Sequence, residues 1–92
     1  MKVERLIVSA CCGTTAVAFR LSSSLHKDFL PLFESNGFIE NKRFTKANML
    51  YVENGGLVVT GTFGMNVVYI KCKVKDCSVF ITAIEELLAK MG

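Results

Sequence analysis

The stretch MLYVENGGLVVTGTFGMNVVYIKCK, Met49 to Lys73, sets three β-forming runs around two glycine-containing breaks. Runs rich in valine, tyrosine, isoleucine and threonine, punctuated at Asn54-Gly55 and Gly64-Met65, read as three antiparallel strands joined by tight hairpins. Two-residue turns at these breaks write down a register. With Asn54 and Gly55 as the first turn, Val52 faces Leu57, Leu50 faces Val59, Tyr51 faces Val58 and Met49 faces Thr60. With Gly64 and Met65 as the second, Gly61 faces Val68, Val59 faces Ile70 and Leu57 faces Cys72. On the other side the same turn aligns Thr62 with Val67, Thr60 with Tyr69 and Val58 with Lys71, and Lys73 follows. One side of these strands is aliphatic; the other mixes aromatic, aliphatic, hydroxyl and basic groups.

Upstream, VSACCGTTAVAF, Val8 to Phe19, gives a further hairpin when Gly13 and Thr14 form its turn. Leu6, Val8, Ala10 and Cys12 then share the apolar side with Thr15, Val17, Phe19 and Leu21. The opposite side takes Ile7, Ser9, Cys11, Ala16, Ala18 and Arg20. After Ser22-Ser23-Ser24, the spacing of Leu25, Phe29, Leu32 and Phe33 predicts a helix, with regular structure from near Asp28 so that Pro31 falls in its first turn. Asn36-Gly37-Phe38 supplies a left-handed stop followed by an apolar residue, the pattern of a Schellman ending. Glu40 to Lys46 reads as a basic, polar loop. A second helix begins near Asp76 or Ser78 and carries Phe80, Ile84, Leu87, Leu88 and Met91 as its apolar stripe.

The order is ββαβββα. Two amphipathic helices must bury their stripes, and the aliphatic side of the sheet is the surface available. The expected fold is a single α+β domain over residues 1–92, a two-layer sandwich of about five antiparallel strands with two helices on one face. Composition agrees: 51% hydrophobic and 21% charged residues with one proline describe a globule rather than a disordered chain. No apolar run reaches the ~18 residues of a membrane span, and MKVERL lacks the apolar core of a signal peptide, so a cytoplasmic location with reduced cysteines is expected and no membrane partner.

Chemistry finds little support in the residues. Adjacent strand residues point to opposite faces, which sends Cys12 inward and Cys11 outward and keeps the pair from sharing one metal or substrate. Joining them to Cys72 and Cys77 for zinc lacks the C-x2-C spacing of such sites, and Cys72 lies inward on the predicted register. Cys11 as a nucleophile needs a base and an orienting carboxylate; His26 sits in the polar start of the first helix, where solvation is its ordinary state. Glu85 and Glu86 diverge by about 100° around a helix. The glycines fall in hairpins rather than between a strand and a helix, as a phosphate loop requires. The expectation is therefore a non-enzymatic protein with no catalytic residue, no metal and no cofactor.

The uncovered side of the sheet is the candidate site, carried by Tyr51, Val58, Val67, Tyr69, Lys71 and Lys73. An open antiparallel face is normally polar, and a contiguous apolar patch of several hundred Å² marks a contact surface. Two occupants fit. Tyr51, Val58, Val67 and Tyr69, with small residues on the first hairpin, allow a second copy to stack, giving a homodimer, or a protein partner to dock. Alternatively Tyr51 and Tyr69 stack bases while Lys71 and Lys73 meet phosphates, as in single-stranded RNA or DNA readers, with Lys42, Arg43 and Lys46 extending the surface. The net charge of +3 permits that partner without requiring it.

Overall fold

The computed structural model describes residues 1–7, 15–73 and 77–90. Its elements run β1 (Val3–Ile7), β2 (Thr15–Leu21), α1 (Phe29–Ser35), β3 (Ile39–Glu40), α2 (Lys42–Lys46), β4 (Met49–Asn54), β5 (Leu57–Thr62), β6 (Val67–Cys72) and α3 (Cys77–Ala89). All strand pairs are antiparallel and the sheet order is β1-β2-β6-β5-β4-β3. The α+β sandwich expected from the sequence is present, with a short sixth strand and a third, one-turn helix added in the segment expected to be loop.

The β5–β6 register is the predicted one, with Gly61 opposite Val68, Val59 opposite Ile70 and Leu57 opposite Cys72. Between β4 and β5 the register differs by two residues: Val52 faces Val59, and Tyr51 faces Thr60 instead of Val58. The turn residues are Gly55 and Gly56, and Gly55 sits at φ +60°, a value that glycine adopts without strain. A turn led by Asn54 would place a side chain there instead. An even shift leaves every side chain on its predicted face.

The first hairpin differs by an odd number. Ile7 pairs with Val17 rather than Arg20, and Leu6 with Ala18 rather than Leu21. This three-residue shift turns Leu6 to the outer side and Arg5 to the inner one. Partners at the sheet edge make the inward arginine tolerable: its Nε lies 3.3 Å from Glu85 Oε2 on α3, and its guanidinium lies 5.7 Å from the centre of the Phe19 ring. Backbone bonding beyond the strand, from Ser22 N–H to the Lys2 carbonyl at 3.0 Å, holds the same register. The predicted Gly13-Thr14 turn, Cys11 and Cys12 lie outside the described residues.

The core lies between the sheet and the helices α1 and α3. Phe19, Phe29, Phe33, Leu50, Val52, Val59, Val68, Ile70 and Leu88 are all under 2% exposed. Helix α1 ends as its sequence predicts: Gly37 has φ +89°, Phe38 N–H donates to the Phe33 carbonyl and Gly37 N–H to the Glu34 carbonyl. On α3 the buried stripe is Ile81, Ile84 and Leu88, while Phe80 is 43% exposed, so the stripe predicted through Phe80 is rotated. Met91 lies outside the described residues. Cys72, at the end of β6, and Cys77, at the start of α3, have Cα atoms 5.9 Å apart and form a disulfide, where free thiols were expected.

Candidate binding face on the open side of the sheet

Strand parity brings the predicted residues together. Inward Leu50, Val52, Leu57, Val59, Val68 and Ile70 are buried, so Tyr51, Val58, Val67, Tyr69 and Lys71 emerge on the opposite side. Lys73 continues the same alternation just past β6, its N–H donating to the Gly56 carbonyl, and is exposed. Neither tyrosine lies beneath α1 or α3, which pack on the other face of the sheet.

Cross-strand pairing orders these groups in rows. One row runs Leu6, Ala18, Tyr69, Thr60, Tyr51, through paired residues of β1, β2, β6, β5 and β4. The next runs Ala16, Lys71, Val58, Glu53, Ile39. Both are centred on β5: the two tyrosines flank Thr60, and Lys71 and Glu53 flank Val58. Two strand spacings separate each flanking pair, about 10 Å. Tyr69 is 51% exposed and Ile39 71%, whereas Ala18 is buried by its neighbours although it belongs to this face.

The face is not wholly bare, which corrects the expectation that nothing remains to cover it. Asn41 N–H donates to the Tyr51 carbonyl, after which the chain winds into α2. Phe44 of α2 lies parallel to the Tyr51 ring at 4.6 Å between centroids. α2 therefore stands as a raised flank along β4, carrying exposed Lys42, Arg43 and Lys46. At the far edge Arg20 and Glu4 are neighbours on the strands and 3.6 Å apart. A contact of that kind between solvated side chains stabilises little.

Phe44, Glu53, Ile39 and Leu6 are the members of this face that the sequence reading missed. A lone phenylalanine inside the basic run NKRFTK was the available signal for Phe44. Glu53 follows Met49 and Tyr51 by the alternation of β4 and was legible there, whereas Ile39 depended on the pairing of β3 with β4, and two residues are too few to show a strand period.

The remaining candidates for chemistry separate in space. The His26 side chain is exposed, its ring set edge-on against Phe29 with Nδ1 accepting the Asp28 N–H at 3.3 Å. Cys72 and Cys77 are bonded to each other, which removes them as open metal ligands in this state. Among the described residues no three His, Cys, Asp or Glu side chains gather as metal ligands, and no helix is long and apolar enough to cross a membrane. No protein-family model matches the chain, and neither the curated proteins nor the solved structures contain a significant match.

Proposed function

We propose that this protein is a non-enzymatic assembly module whose open sheet face binds a second copy of itself. The observation that carries the reading is that the face is complementary to itself about β5. Consider two sheets stacked face to face with a twofold axis along β5 between them. Each row then meets its own reverse: Tyr51 of one copy faces Tyr69 of the other, Lys71 faces Glu53, and Val58 and Thr60 meet their own counterparts. Shape follows the same rule. Exposed Ile39, at one end of its row, meets Ala16 at the other end of the second copy's row, where the small side chain leaves it room.

The opposite charges lie in the row nearer the β4–β5 turn and the aromatic row lies inside it, which is the polar-rim arrangement of ordinary interfaces. Val58 lies on the axis between the two charges and Val67 on the other side of the aromatic row, each half-buried in the single chain. Val58→Asp brings two carboxylates together on the axis, and Val67→Asp places a charge beside the aromatic row. Sedimentation velocity on these variants tests the proposal: both should run as monomers at concentrations where the parent protein associates, and unchanged association would count against it.

A second reading rests on one specific observation. Tyr69 presents half its surface beside Lys71, and α2 adds Lys42, Arg43 and Lys46 along the Tyr51 side, giving the ring-plus-cation surface on which single-stranded nucleic acid stacks. Fluorescence anisotropy with mixed-sequence RNA and DNA oligonucleotides tests it. Affinity that falls steeply with salt and disappears in Lys71→Glu/Lys73→Glu would support this reading. Absence of binding at low salt would end it.

A further inference from the structure

Helix α3 carries more apolar surface than the sheet receives. Ile81, Ile84 and Leu88 face the core, but Phe80, Ala83 and Leu87, spaced three and four residues apart, run along the adjoining flank. That flank walls a groove of about 320 Å³, closed on the other side by the residues after α1 and by the β4–β5 turn. Phe38 and Leu57, both nearly buried, face it. Its volume falls at the lower end of the range of small-ligand sites.

The mouth of the groove is charged. Glu86 and Lys90 stand one helical turn apart and both line it, with Asn54 across from them. Their spacing is the one at which glutamate and lysine pair on a helix. Among the described residues, however, neither side chain makes an ion pair with the other or with any third group. An apolar slot therefore opens onto one unpaired anion and one unpaired cation.

We propose that this groove, separate from the open sheet face, binds a free α-amino acid with a large apolar side chain, phenylalanine being the type. The ring lies against Phe80, Leu57 and Leu87. The α-ammonium meets Glu86, and the α-carboxylate meets Lys90 with the Asn54 amide beside it. A ligand with a single charge leaves one of the two groups unmatched and binds less well.

The test is a titration of the ¹⁵N-labelled full chain with L-phenylalanine, N-acetyl-L-phenylalanine and L-phenylalanine amide, followed by amide chemical shifts. The proposal requires saturating shifts at Leu57, Ala83 and Leu87 with L-phenylalanine, and roughly three- to fivefold weaker binding for each blocked analogue, the scale of one exposed ion pair. Glu86→Gln and Lys90→Gln should each produce a similar loss. Ala83→Trp, which fills the slot from an exposed helix position, should abolish the shifts while its own spectrum remains that of a folded protein. Equal affinity for a blocked analogue, undiminished binding in folded Ala83→Trp, or no saturation at concentrations on the order of tens of millimolar, the weak limit of binding arithmetic, overturns it.

Discussion

Phe44 lies against Tyr51, with ring centroids 4.6 Å apart and planes 12° from parallel. This stack links a five-residue helix, too short to be stable alone, to the outer face of β4. Phe44→Ala removes both the stacking and the apolar cover, at an expected cost of about 1–2 kcal/mol. Calorimetry should then show Tm lowered by roughly 4–8 °C for each kcal/mol lost. An unchanged Tm would mean that other contacts hold α2 in place.

A paired charge exchange tests the twofold arrangement without touching the core. Lys71 and Glu53 flank Val58 in one row, so each meets the other's counterpart across the proposed axis. Lys71→Glu alone and Glu53→Lys alone should each weaken the dimer by about fivefold, and the double variant should restore it. Additive loss in the double variant would exclude this axis, though not every mode of association.

Close packing between β5 and the segment leading to α1 gives a stability prediction. A Cβ on Gly61 would stand 2.5 Å from Leu25 Cδ1 and 3.2 Å from the Val67 carbonyl oxygen. Leu25 is 1% exposed and has little room to retreat. Gly61→Ala should therefore destabilise by about 1–3 kcal/mol in urea unfolding. A neutral or stabilising result would show that this corner of the core is looser than its burial indicates.

The Cys72–Cys77 disulfide joins the last residue of a central strand to the first residue of α3 across a sequence separation of 5. Closing so short a loop contributes about 2 kcal/mol in the chain-entropy account. Cys77→Ala, or dithiothreitol added to the parent protein, should lower the urea midpoint accordingly. Identical midpoints with and without reductant would show that the bond adds nothing to stability.

How much of this was legible in the sequence depends on parity. Turn glycines located β4, β5 and β6, and the error of two residues at Gly55-Gly56 changed which residues are opposite but not which face they occupy. Tyr51, Val58, Val67, Tyr69 and Lys71 were therefore placed correctly. The three-residue error at β1 was costly in comparison, because it inverted Leu6. An apolar-inside rule cannot foresee an inward arginine whose partner, Glu85, lies 80 residues away. On α3, Phe80 looked like core because helical spacing records a repeat and not the angle at which the helix meets the sheet. β3 and α2 were hidden by brevity: two strand residues and five helical ones give no period to read.

The most direct test of the assembly proposal is the solution mass of the untagged, nuclease-treated protein, measured by light scattering across a wide concentration series. A dimer built on this face gives a mass rising to twice the 10.1 kDa of the chain. A mass that stays at 10.1 kDa throughout the series would contradict it.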